Sequence, residues 1–249
     1  MKNIHLQETV ETPEEEVKQP VAEEPVETKE AAPEEEKQTE EEPKNNYIII
    51  PTSSGTSDSD TKIRAVGLIG DLDEERASEI LYGMLSLQKT GTKEKAKNPE
   101  DPECTETVTY FEPYEMIIST HGGSASDMFG IYDMMRKHQS DGFEIHTFGL
   151  GKVMSAGVLL MAAGTKGKRR IGANTRVMIH AVAGGSQGAI HNLETEMDEI
   201  RWIQEQYIDK LVEETAMSKK YLSNLLKKKV NVYLSAQEAI DLGIADEVI

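Results

Sequence analysis

Four short apolar runs, Arg64 to Ile69, Glu115 to Ser119, Ile145 to Leu150 and Arg176 to His180, are rich in Ile, Val and Phe and bounded by Gly, Asp or Asn. Runs of this kind read as short buried strands. Segments of helical period separate them. Asp73 to Leu87 places Ala77, Ile80, Leu81, Met84 and Leu85 on one face, and Ser126 to His138 places Met128, Ile131, Met134 and Met135 on another. Ser155 to Ala163 is apolar nearly all round and so reads as a buried helix. Strands alternating with crossover helices predict an α/β fold with a parallel sheet, built from repeated βαβ units.

That pattern fills only part of the 249 residues. Residues 1–46 hold 15 Glu, five Lys and five of the nine prolines, and carry ten of the 18 net negative charges. A segment of that composition cannot bury a core and reads as a disordered, self-repelling acidic tail. Order is expected from Tyr47 to Ile249, where the composition is that of an ordinary globular domain. Within it, 90–112 is long, charged and Pro-containing, and reads as an inserted surface loop. The stretch Asn192 to Met217 carries Leu193, Met197, Ile200, Ile203, Tyr207, Leu211 and Val212 at spacings of three and four. A helix of that length spans roughly 39 Å, too long for one such domain to cover, so it is expected to protrude and pack against another subunit.

The charge balance argues against nucleic acid as a partner, because affinity for phosphates comes from Lys and Arg. No apolar run approaches the roughly 18 residues of a membrane span, and the N-terminus has no apolar signal region, so no membrane partner and a cytoplasmic location are expected. The single cysteine, Cys104, excludes an internal disulfide and a zinc site of several thiolates. No metal or cofactor is expected.

Three signals carry chemistry. Gly149 to Gly157 passes from a strand into a buried helix with Ser155 at the junction, at the positive end of the helix dipole. Arg176 to Ile179 is an apolar strand that ends in His180. Ile117 to Thr120 ends in His121-Gly122-Gly123 before a helix, a geometry that can aim backbone N–H groups at an anion. Alone, Ser155 reads as a helix cap, His180 as a structural strand-end histidine, and the glycine pair as a turn. All three, however, fall at the C-terminal ends of expected parallel strands, the edge where α/β sheets form their sites.

The run GKVMSAGVLLMAAGTKGKRRIGANTRVMIHAVAGGSQGAI resembles the core of the Clp protease proteolytic subunit, a serine peptidase of the Clp/crotonase superfamily. The correspondence rests on Ala162-Ala163-Gly164-Thr165-Lys166-Gly167-Lys168-Arg169, on Asn174-Thr175-Arg176-Val177-Met178-Ile179-His180, on Gly184-Gly185-Ser186-Gln187-Gly188, and on Tyr233 to Asp246. The resemblance implies a Clp/crotonase-type fold and a serine endopeptidase acting inside a homo-oligomer of stacked heptameric rings. Polypeptide substrates would be fed by an AAA+ unfoldase.

Carried across by motif, Ser155 is the nucleophile, His180 the general base, and the amides of Gly123 and Ala156 the oxyanion hole. Gly122, Gly184, Gly185 and Ser186 line the substrate groove, the last three on a strand from Gly184 to Gly188. Two departures stand out beside the absence of the family's helix between the N-terminal loop and the first strand, where only Thr61 to Ile63 stand between the polar loop and Arg64. Asn231 and Val230 occupy the places of the triad aspartate and of the basic residue before it, and His121 stands where the family has proline. The first departure leaves open a weakly active or silent ring subunit with an assembly role. A phage-type relative that processes capsid or scaffold proteins is a further alternative.

Overall fold

A computed structural model describes residues 63–98, 100, 105–185, 187, 189–227 and 230–249. The readings of the acidic segment 1–46, of the Tyr47 to Ile50 run, of Cys104 and of Ser186 fall outside these residues.

In chain order the elements are β1 (Ala65–Ile69), α1 (Glu74–Gly91), β2 (Thr92–Ala96), β3 (Thr107–Phe111), β4 (Tyr114–Thr120), α2 (Ala125–Asp141), β5 (Ile145–Met154) and α3 (Ala156–Ala162). There follow β6 (Arg170–Ile171), β7 (Arg176–Ile179), α4 (Ile190–Glu214), α5 (Lys219–Lys227), β8 (Val232–Leu234), α6 (Ala236–Asp241) and β9 (Glu247–Val248). The main sheet runs β1-β4-β5-β6-β9, all parallel. Strand β7 joins β5 in parallel and β8 closes that branch antiparallel. The expected α/β architecture is thus present.

Local chemistry explains the helix starts. Asp73 caps α1 by accepting from the Arg76 N–H at 2.8 Å, and Glu74 and Glu75 place negative charge at the positive end of its dipole. Ser124 caps α2, which stops at Gly142 in a left-handed conformation (φ 107°) that glycine adopts at no steric cost. The apolar faces settle on the sheet: Met84, Met116, Ile118, Ile131, Met135 and Ile145 are fully enclosed, as are Val158 to Ala162 of α3. Each such Val, Leu, Ile or Met side chain contributes roughly 1.5–3 kcal/mol of burial.

Several expectations shift. Leu85 is exposed and Leu87 takes the buried place on α1. Within 90–112 the chain forms an antiparallel hairpin of β2 and β3, paired from Thr92↔Phe111 to Ala96↔Thr107. Strand β5 runs past Leu150 to Met154 by turning through Gly151 (φ 66°). The buried Thr175 hydroxyl pins this turn, accepting from the Gly151 N–H (3.0 Å) and donating to the Gly149 carbonyl (3.2 Å). The first half of β5 therefore pairs with β6 and the second with β7. On α4 the apolar stripe divides. Tyr207, Ile208 and Leu211 are buried in their own domain, whereas Ile190, Met197 and Trp202 are exposed. Gly184 and Gly185 are exposed and belong to no strand, contrary to the expected Gly184 to Gly188 strand. Without side chains they have nothing to pack that would hold them in a ladder.

A buried cation ties the far side together. Arg169 donates to both Asp246 oxygens (2.9 and 2.5 Å) and to the carbonyls of Ala162, Glu214 and Gly243 (3.2, 3.0 and 2.8 Å). Burial alone would raise the Asp246 carboxyl, but the Arg169 guanidinium and the N–H groups of Arg169 and Gly167 outweigh it and hold it below the usual aspartate range. Its contribution to stability is therefore complete above about pH 4 and is lost as pH falls through the lowered folded value. Asp246→Ala, which strands a buried guanidinium, is expected to cost about 3–5 kcal/mol in urea unfolding at pH 7. The loss should shrink as the pH is taken down.

Candidate active site

Where β5 runs into α3, the backbone takes a conformation rare for any side-chain-bearing residue. Ser155 has φ 52° and ψ −119°, the one positive φ outside glycine among the described residues. Such a conformation costs of order 1–3 kcal/mol and persists only when its surroundings over-determine it. Here they do. The Ser155 N–H donates to the Met178 carbonyl (2.8 Å), and the Ser155 carbonyl accepts from the Val158 N–H (3.0 Å) and from the Tyr207 hydroxyl (3.0 Å). Ser155 occupies the cap position of α3, yet its side chain makes no capping bond. Its Oγ lies 2.7 Å from His180 Nε2 instead.

The sheet makes this pairing. Lys152↔Arg176 through Met154↔Met178 align the second half of β5 with β7, so the residues just beyond both strands meet. For Nε2 to accept from the serine hydroxyl, the proton must sit on Nδ1. On the other side of β7, the antiparallel register Ile179↔Val232 sets Asn231 opposite His180. The Asn231 side chain is exposed and makes no hydrogen bond to the imidazole.

Gly122 and Gly123 form the facing loop. The buried Thr120 hydroxyl accepts from the Gly122 N–H (2.9 Å) and shapes the turn in which His121 stands before the glycines. Leu72 then clips the loop, donating its N–H to the Gly122 carbonyl (2.7 Å) and accepting from the Ser124 N–H (2.9 Å). The intervening Gly123 N–H is left out of that pairing. The Ala156 N–H, in the first turn of α3, has no helical acceptor either. A Cβ on Gly122 would stand 2.5 Å from the Ser155 Cβ, and one on Gly123 would stand 1.9 Å from the Leu72 carbonyl oxygen. Only glycine permits that approach.

Ser155, His180, Gly123 and Ala156 share a cleft of about 360 Å³ with the apolar side chains of Met128, Ile203 and Tyr207. The structure thus gathers Ser155, His180, Gly122, Gly123 and Ala156 in one place. Gly184 lies beneath Ile200 of α4, the next turn along from Ile203. Tyr207 went unrecognised in the sequence, where it reads as one more member of the α4 stripe. The one available signal was a hydroxyl on a face destined for burial, which needs a partner.

The Clp protease family model matches residues 106–249. The chain belongs to the Clp protease family. An ATP-dependent Clp protease proteolytic subunit 1 of Prochlorococcus marinus subsp. pastoris is 35% identical over 150 residues, 60% of this chain and 70% of the relative. A second protein of the same name, from another Prochlorococcus marinus strain, is 37% identical over 134 residues, 54% of this chain and 66% of the relative. The chain thus spans about two thirds of the length of these curated relatives. The match to the Clp protease family takes in β4, α2, β5, α3, β7 and α4, whose residues or ends meet in the cleft, and starts after β2. Among the described residues no helix is long and apolar enough to cross a membrane.

Gly122→Ala tests the close approach directly. Its methyl group must displace Ser155 or the loop, at φ +109°. A crystal structure is expected to show the Oγ to Nε2 distance beyond about 3.2 Å, outside hydrogen-bond range, with a stability loss of about 1–3 kcal/mol in thermal unfolding.

Proposed function

We propose that this chain is a serine endopeptidase of the Clp type, with a peptidase domain over residues 47–249 and residues 1–46 as an acidic tail. The observation that carries the reading is the 2.7 Å contact of Ser155 Oγ with His180 Nε2 at a strained strand-to-helix turn. In this reading His180 takes the hydroxyl proton as Oγ attacks the scissile carbonyl, then returns it to the leaving amine. The N–H groups of Gly123 and Ala156 donate hydrogen bonds to the carbonyl oxygen as negative charge develops on it. Gly122, Gly184, Gly185 and Ser186 belong to the groove in which an extended polypeptide lies, bound largely through its backbone.

Assembly follows the same line. The exposed Ile190, Met197 and Trp202 on the first half of α4 support a seam between copies. The relatives' printed name, a proteolytic subunit of an ATP-dependent protease, supports a ring fed by an unfolding ATPase. Stacked heptamers in the cytoplasm are the form expected. Ser155→Ala is expected to abolish peptide hydrolysis and fluorophosphonate labelling while light scattering shows an unchanged assembly. Labelling of the variant at the wild-type rate would refute the assignment.

One observation favours a second reading, a weak or silent subunit kept for assembly: Asn231 faces His180 in register but holds no hydrogen bond to it. An amide can orient an imidazole, but it cannot neutralise the imidazolium formed as Ser155 loses its proton. In one serine protease the Asp to Asn change lowers the rate by about 10⁴. Asn231→Asp is therefore expected to raise kcat/KM near pH 8, by up to that factor and more on a peptide amide than on an ester, since the amide leaving group needs the proton from His180. A folded, assembled variant with no gain on either substrate would remove Asn231 from the triad position.

A further inference from the structure

The buried half of α4 ends a chain of contacts that reaches the cleft through one phenol. Tyr207 is 4% exposed, and its hydroxyl has a single partner, the carbonyl oxygen of Ser155 at 3.0 Å. A buried hydroxyl must find such a partner, but this one could have been satisfied almost anywhere along the helix. It falls instead on the one non-glycine residue with positive φ among the described residues.

The peptide bond converts that contact into control of a second atom. The unit joining Ser155 to Ala156 is planar and trans, so its carbonyl and its N–H point in opposite directions. Holding the Ser155 oxygen toward α4 therefore fixes where the Ala156 N–H points. Ala156 lines the cleft together with Ser155, His180 and Tyr207 itself, and its nitrogen stands 3.2 Å from where a Cβ on Gly122 would lie. The Val158 N–H also reaches the Ser155 carbonyl, from within α3. Tyr207 supplies the bond from outside it, so the peptide plane is held against a second helix as well.

We infer that Tyr207 is a positioning residue: its hydroxyl sets the orientation of the Ser155–Ala156 peptide and so aims the Ala156 N–H at the oxyanion of the reaction. The inference rests on the serine peptidase reading above. Burial pushes the phenol above its ordinary range, so at neutral pH it is a protonated donor. Tyr207 touches no reacting atom. Its effect passes through Ala156, and the cost of its loss belongs to the transition state rather than to substrate binding.

Tyr207→Phe removes only the hydroxyl, and Tyr207→Met removes ring and hydroxyl while keeping an apolar side chain. Both full-length variants are assayed on a small peptide amide, with crystal structures of wild type and Tyr207→Phe. Loss of a whole oxyanion donor costs about 10²–10³ in kcat, so a misaimed one is expected to lower kcat by about tenfold to a hundredfold. KM should stay within about twofold in Tyr207→Phe, which keeps the ring that lines the cleft. A role confined to packing would lower the unfolding temperature of Tyr207→Met and leave the kcat of Tyr207→Phe untouched. Wild-type kcat in Tyr207→Phe therefore overturns the inference. If the wild-type protein itself neither hydrolyses the amide nor reacts with a fluorophosphonate, the peptidase reading fails on its own account and the crystal structures decide. A rotated Ser155–Ala156 peptide in Tyr207→Phe then upholds the positioning role, and an unmoved one overturns it.

Discussion

Everything in the cleft depends on keeping one serine in a backbone conformation it would not choose. At φ 52° Ser155 is strained, and its side chain is turned away from the helix cap toward His180. The strain of about 1–3 kcal/mol is small beside the burial of α3, whose seven residues are all enclosed between the sheet and its neighbouring helices. A helix this apolar has no other stable place, so its burial dictates the position of the residue before it. The glycine at 122 completes the constraint by letting a second strand end come within contact of Ser155.

The same logic explains a buried arginine on the opposite side of α3. Arg169 donates to the carbonyl of Ala162, the last residue of α3, and to that of Glu214, the last residue of α4. Helix C-termini present unpaired carbonyls and partial negative charge, and a cation satisfies both. A single guanidinium thus anchors the rear of the two helices whose other parts meet at Ser155. The Glu214 carboxylate adds Arg136 (3.0 Å), Lys166 (3.3 Å) and the Tyr132 hydroxyl (2.9 Å) to the same anchor. Such a network holds a geometry better than it adds stability, because much of its attraction goes to offset desolvation.

How much of this was legible in the sequence differs from element to element. Short runs rich in Ile, Val and Phe between turn residues announce strands with a buried face, and β1, β4, β5 and β7 were readable for that reason. The β2–β3 hairpin was not, since TKEKA is exposed at every position and has no apolar alternation to detect. Periodicity gave the α4 stripe but not its division, because a pattern of three and four says which residues share a face and not how far along the helix the core extends. The serine, histidine and glycines were visible through their places at strand ends. Two things were hidden. Tyr207 was hidden because its partner is a backbone atom 52 residues away. The Gly149-Leu150-Gly151 break masked the continuation of β5 into the site, since a glycine pair ordinarily ends a strand.

The β2–β3 hairpin also says where this architecture has room to change. Its five-residue strands pair with each other and with no strand of the main sheet, and β2 lies ahead of the matched family residues. Lengthening the connection between two paired strands costs little, about 0.6 kcal/mol for each doubling of a flexible loop. A grafted epitope or recognition sequence carried there would ride on a self-contained ladder, its gain or loss settled locally. In that sense the hairpin is a port for evolutionary and engineered novelty, while the cleft at the ends of β4, β5 and β7 admits almost none.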